Sequence, residues 1–160
     1  MHQHRYRYRG LLVGFVGLTL FAAGGRAQTG TREPSKEDVS KLFNKWNETL
    51  QTGKADEVVK LYAPNAVLLP TVSNKVRHNY GEIKDYFEHF LEYKPTGKIN
   101  EQNIRIYGPV VINSGIYTFT LTKDGKQSDV RARYTFVYHL QGDRWLIVEH
   151  HSSAMPEDKK

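Results

Sequence analysis

Apolar residues recur along this chain at two different spacings, and the change from one to the other divides it. Val39, Leu42, Phe43, Trp46 and Leu50 fall three or four apart, the repeat that lines one face of an α-helix. Ser35 has the short hydroxyl side chain that caps a helix start. Glu37 and Asp38 place negative charge on the first turn, where the helix dipole is positive, and Gly53 supplies an end. A second, shorter helix is predicted over 55–63, burying Val58, Val59 and Tyr62 before Pro64 stops it. A short buried strand over 66–69 follows, closed by Pro70, and 71–80 reads as a loop. Ile83, Tyr86, Phe87, Phe90 and Leu91 then form the apolar face of a third helix over 82–93.

Beyond Pro95 the helical spacing gives way to β-branched and aromatic residues between glycine-containing turns, which predicts strands over 103–107, 110–122, 128–140 and 144–152. Asp124-Gly125 and Gly142-Asp143 suit tight hairpins because both pairs tolerate positive φ. Helices first and hairpin-linked strands afterwards predict an α+β domain, an antiparallel sheet with its helices on one face. Along 128–140, alternation puts Val130, Ala132, Tyr134, Phe136 and Tyr138 on the helix-covered, concave side. Arg131, Arg133, Thr135, Val137 and His139 fall on the other, a mixed surface of the kind a second subunit covers.

The amino terminus changes the reading of charge. Arg5, Arg7 and Arg9 precede an apolar stretch from Leu11 to Ala23, and Gly25 and Ala27 suit the small-residue cleavage positions of a secretory signal peptide. The expected organisation is a signal peptide over 1–27, a leader over 28–34, one domain over 35–156 and a tail over 157–160, in a periplasmic or secreted protein with no membrane attachment after cleavage. Removing Arg5, Arg7, Arg9 and Arg26 with the signal peptide lowers the formal net charge from +6 to +2. No concentrated basic patch is left, so nucleic acid is not an expected partner. With no cysteine there is no disulfide, thiolate nucleophile or cysteine metal site, and about 130 remaining residues are enough for one core held by burial alone.

Several segments together carry a resemblance: Leu69-Pro70-Thr71 with Ser73-Asn74-Lys75-Val76-Arg77, Asp85-Tyr86-Phe87, Tyr117-Thr118-Phe119-Thr120, Ala132 through Tyr138, and Trp145 with His150-His151-Ser152-Ser153-Ala154-Met155-Pro156. From Ser35 to Pro156 the chain resembles the bacterial SgcJ/EcaC-type proteins. That group is similar to the calcium/calmodulin-dependent protein kinase type II association domain and, more remotely, to the SnoaL-like cyclases. The resemblance implies the nuclear transport factor 2-like cone: a curved antiparallel sheet wrapped on N-terminal helices, enclosing a pocket and assembling through the sheet into homodimers or larger rings. It does not imply kinase activity, because the chain has no Gly-rich phosphate loop, His-Arg-Asp loop or Asp-Phe-Gly site. The association domain of the kinases lines its pocket with arginines suited to a small carboxylate, and two of those positions fall on Phe136 and Ser152 here. Arg133 lies nearby on the opposite strand parity.

Candidate chemistry gathers at His150, His151, Ser152 and Ser153, where alternation sends one histidine and one serine to each face. Strict alternation groups His150 and Ser152 with Leu146 and Val148, and His151 and Ser153 with Trp145 and Ile147. Imidazole carries protons near neutral pH and hydroxyls orient ligands, but the same residues serve equally to satisfy backbone groups or an interface. Arg133 is either an anion contact or half of a structural pair with Glu149. Tyr117 and Tyr134 either aim hydroxyls into the pocket or pack the core. The basic residues Lys75, Arg77 and Lys84 read as solvated surface. No metal site is expected, since adjacent histidines on a strand point apart and His78, His89 and His139 are scattered; no cofactor is implied. Three functions stay open: a pocket protein binding a small organic ligand, a cofactor-free acid-base enzyme of the SnoaL-like or ketosteroid isomerase-like kind, and a structural oligomerisation hub.

Overall fold

Ser35 caps the first helix reciprocally: its Oγ accepts from the Asp38 N–H at 3.1 Å while the Asp38 carboxylate accepts from the Ser35 N–H at 3.0 Å. Two of the orphan donors at a helix start are satisfied this way. In the computed structural model, which describes residues 33–156, this opens α1 (Lys36–Leu50), with Val39, Phe43, Trp46 and Leu50 buried as their spacing predicts. The expected signal peptide over 1–27, residues 28–32 of the expected leader and the tail 157–160 lie outside the described residues.

The second helix is shorter than expected. α2 (Ala55–Val59) stops because the chain from Tyr62 onward joins the sheet as β1 (Tyr62–Leu69). Tyr62 lies opposite Ile147, and the Ile147 N–H donates to the Leu61 carbonyl at 2.9 Å, so ladder bonds replace the helical ones. α3 (Tyr80–Phe90) begins two residues earlier than predicted, where the Asn79 side chain accepts from the Glu82 N–H at 3.0 Å. A 3-10 turn (Leu91–Tyr93) and Lys94 at φ 44° then turn the chain into the sheet.

β2 (Thr96–Tyr107), β3 (Val110–Lys123), β4 (Lys126–Gln141) and β5 (Arg144–Ala154) complete five strands in the order β1-β5-β4-β3-β2. β1 runs parallel to β5, and every other pairing is antiparallel. β2 starts seven residues before its predicted position. It is an edge strand whose first half, Lys98, Asn100 and Glu101 among it, is too polar to show an apolar alternation. Asn47 of α1 fixes that half to the helix layer, its amide donating to the Gly97 carbonyl at 2.9 Å and accepting from the Gly97 N–H at 2.8 Å.

On β4 the predicted sidedness holds: Ala132, Tyr134, Phe136 and Tyr138 are buried, whereas Arg131 and Arg133 are exposed. On β5 strict alternation does not hold. Tyr138 lies opposite Ile147 but Val137 lies opposite Glu149, so Val148 is an extra residue that resets the parity. Ile147, His150 and Ser152 are therefore buried together on the inner face, and His150 does not share a side with Val148 through regular alternation. This bulge and a second between Ile99 and Glu101 bend the sheet around the helices, giving the curved α+β architecture expected.

Candidate functional site

Under the concave face, Trp46 of α1, Phe87 and Phe90 of α3, Tyr117 and Phe119 of β3, and His150 and Ser152 of β5 surround a cavity closed by Pro70, Thr71 and Val72. Its volume is about 30 Å³, close to one water's share of the liquid. The enclosure is aromatic, and two short polar chains enter it.

The first chain fixes a tautomer. Trp46 Nε1 can only donate, and it donates to the Tyr62 hydroxyl at 3.2 Å. The hydroxyl proton of Tyr62 is then best used toward His150 Nδ1, 2.9 Å away, because a hydroxyl accepting from both neighbours would bury its own proton without a partner. His150 accordingly carries its hydrogen on Nε2, and that buried atom has no protein partner. The imidazole stacks on Phe136 at 3.9 Å between ring centres and 21° between planes. Burial, with a smaller contribution from His151, pushes its pKa from 6.5 down to about 3, so the ring is neutral at physiological pH.

The second chain joins Tyr117, whose hydroxyl donates to Ser152 Oγ at 2.5 Å, and Thr71, whose hydroxyl bonds the same oxygen. This ties the 70–72 segment to β5. Burial raises the Tyr117 phenol well above its ordinary value, holding it protonated as a donor.

Of the sequence-predicted residues, His150, Ser152 and Tyr117 therefore meet at the cavity. Tyr134 is buried beside them but does not line it. Its hydroxyl donates to Asn113 Oδ1 at 3.0 Å, and burial pushes its pKa up to about 12. His151, Ser153 and Arg133 lie on the outer face, where Arg133 Nη2 donates to the Ala154 carbonyl at 3.4 Å. The expected Arg133–Glu149 pair does not form: Arg133 is opposite Ser153 and Glu149 opposite Val137, four residues along β4, a separation of about 13 Å at strand rise.

Sequence reasoning missed Tyr62, Thr71 and Arg77. By its spacing Tyr62 belongs to a predicted helix face, and Thr71 falls in a predicted loop. Arg77 corrects the expectation of a solvated basic surface, for it is 7 % exposed. Its backbone pairs with Leu68 in both directions at 2.9 Å, which folds the loop inward. Lys75 and Lys84 do lie in surface pairs, with Glu82 at 4.0 Å and Asp56 at 2.8 Å. A second cavity of about 350 Å³ lies beside the first, lined by Ser73, Arg77, His89 and Tyr93 and sharing Val72, Tyr86, Phe90 and Leu121 with it. Neither lining contains a carboxylate.

The buried imidazole makes stability depend on pH in a defined direction. Its folded pKa is depressed, so below about pH 6.5 the unfolded chain takes up a proton that the folded chain refuses until about pH 3. The stabilisation is complete above that window and falls as pH falls through it. Between pH 7.5 and 5.0 this group alone should remove about 2 kcal/mol. Urea titrations of wild type and His150→Phe at both pH values check this: the wild type should lose about that much more than the variant, and equal losses would refute it.

A sequence profile described as the calcium/calmodulin-dependent protein kinase II association domain matches residues 35–156. A Xanthomonas campestris crystal structure described as a candidate domain of that kind is 51 % identical, with a TM-score of 0.76, covering 79 % of this chain and 91 % of its own. The Chlamydomonas reinhardtii kinase hub homology domain shares the fold at 15 % identity and a TM-score of 0.63, covering 75 % of this chain and 97 % of its own. A Streptomyces avermitilis protein described as a candidate dehydratase of the nuclear transport factor 2-like family does so at 13 % identity and 0.67, covering 76 % and 97 %. No curated protein matches the chain.

Proposed function

Because this chain belongs to the calcium/calmodulin-dependent protein kinase II association domain family, on a nuclear transport factor 2-like fold, we propose that it is an exported, self-assembling pocket protein that holds a small organic ligand and has no kinase activity. The observation that carries ligand binding is His150. A buried Nε2–H donor, held in one tautomer by Tyr62 and Trp46 at the edge of an aromatic cavity, is left without a partner. An unsatisfied buried donor costs about 1–3 kcal/mol. The space of about 30 Å³ beside the imidazole holds no more than a water, so the acceptor that removes this cost belongs to a ligand seated in the adjoining cavity of about 350 Å³ and reaching inward past Val72.

Binding is favoured over acid-base catalysis by the same chemistry. The imidazole is too weak a base at a pKa of about 3, the surrounding phenols are pushed upward, and no carboxylate lines either cavity. Self-assembly is supported by the family's fold and by Val67, Leu69, Ile112, Ile116 and Val137, which put apolar surface on the outer side of the sheet. Export rests on the basic, apolar and small-residue succession of the first 27 residues.

Native mass spectrometry of protein recovered after expression of the full chain tests the reading. A multiple of the processed subunit mass is expected, carrying a small adduct that is lost in His150→Phe and reduced in Ser152→Ala. A monomer removes self-assembly. An oligomer that carries no adduct and acquires none from a metabolite extract leaves the hub reading instead.

A further inference from the structure

Arg133 on the middle strand β4 and Glu149 on its neighbour β5 both stand on the outer face of the sheet, and neither charge is answered within its own chain. Among the described residues, the Arg133 guanidinium reaches only the Ala154 carbonyl, at 3.4 Å, and the Glu149 side chain has no hydrogen bond or ion pair. Both are exposed, yet apolar side chains adjoin them across the strands: Val67 and Val137 flank Glu149, and Ile116 lies beside Arg133. A second copy covering these apolar residues strips water from the two charges as well. Arginine keeps its proton, so a covered Arg133 requires an anion.

Arg133 lies opposite Ser153, Thr135 opposite His151 and Val137 opposite Glu149, so the two charges sit two residues to either side of the Thr135–His151 pair. We propose that a second copy of this chain packs face to face on this surface about a two-fold axis at the Thr135–His151 pair, so that Arg133 of each subunit binds Glu149 of the partner subunit. One symmetry operation then makes both pairs. Strands about 4.8 Å apart and an offset of about 13 Å along them put an axis that exchanges the two positions about 20° from the perpendicular to the strands, so the strands of the two sheets cross at about 40°. The Leu140 N–H donates to the Pro109 carbonyl at 2.8 Å, which fixes the hand of the outer face: seen from outside with β4 running upward, β5 is on its right. That hand makes the crossing negative, the sense of the about −30° at which aligned sheets pack. The same rotation carries Val137 over the partner's stretch from Ser114 to Ile116, apolar against apolar, and brings Thr135 and His151 near their own copies. The inference deepens the self-assembly reading and rests on it.

Charge reversal tests the pairing in protein recovered after expression of the full chain. Arg133→Glu and Glu149→Arg each set like charges across the interface, and in sedimentation equilibrium each should weaken dimerisation at least tenfold. Mixing the two variants should restore it to within about threefold of wild type, with the mixed dimer dominant in native mass spectrometry, because only a mixed dimer brings unlike charges together at both sites. A contact within one chain cannot give that result, since each variant carries two like charges. Reversals without effect, or a mixture no tighter than its components, overturn the proposal. If a reversed chain does not fold, Arg133→Cys and Glu149→Cys supply single thiols in a chain that has no cysteine. A short bis-maleimide should link the mixture but neither variant alone, and failure to link the mixture overturns the proposal equally. A wild type that is monomeric at micromolar concentration removes the self-assembly reading with it; a stable oligomer indifferent to both reversals removes the pairing alone.

Discussion

Trp46→Ala should lower the unfolding free energy by about 4 kcal/mol, the range found for emptying a large aromatic from a closed core. Trp46 is 2 % exposed and meets Phe87, Phe119, Phe136 and His150 edge-on at 5.2–6.3 Å. Both structural layers and the cavity wall depend on it. Domains of this size are stable by only about 5–15 kcal/mol, so the variant should be marginal at 37 °C, and a urea midpoint close to wild type would refute the assignment. Trp46→Phe separates packing from hydrogen bonding. It keeps most of the ring volume but removes the donor to Tyr62, and should cost about 1–2 kcal/mol. It should also free the Tyr62 oxygen to accept from His150 Nδ1–H, so the tautomer would move away from Nε2–H, a change that imidazole ¹⁵N shifts report directly.

The parts of this fold legible in the sequence are those whose pattern repeats several times within one element. Val39 to Leu50 gives about three turns of helical spacing, and Ala132 to Tyr138 alternates without interruption, so α1 and β4 follow from local chemistry. β1 does not, because Tyr62 and Ala63 are compatible with a helix until β5, more than eighty residues later, supplies ladder partners. The same limit governs the site. His150 and Ser152 stand out by type, but their side of the sheet is set by the bulge at Val148, and no local signal distinguishes that residue from a regular strand position. From sequence Arg77 reads as solvated because charges usually are; its burial follows from a two-way backbone pairing with Leu68 that closes the intervening loop.

That dependence on one backbone irregularity is sharpest on the opposite edge of the sheet, at Gly115, where alanine should cost about 3 kcal/mol, the upper end of ordinary overpacking. A Cβ there would lie 2.0 Å from the Glu101 carbonyl oxygen and 2.7 Å from its carbon, and neither atom can rotate aside. The contact arises because β2 slips register between Ile99 and Glu101, pressing that carbonyl against β3 just beside the Gln102–Gly115 pair. Gly53, Gly108, Gly125 and Gly142 are different: each is needed for positive φ in open space, so alanine there strains one turn and crowds nothing. Relief of the clash at Gly115 requires the edge strand to move away, which also releases the weak Tyr134 hydroxyl contact with the Glu101 carbonyl at 3.4 Å. Amide exchange in Gly115→Ala should therefore accelerate across 99–103 of β2 by two orders of magnitude or more, the factor about 3 kcal/mol allows, while β5 and the His150 tautomer stay as they are. Unchanged protection in β2 together with a stability loss under about 0.5 kcal/mol would show that the slip is not fixed by glycine. Accelerated exchange confined to the edge strand would instead show that β2 opens separately from the strands that hold His150 and Ser152.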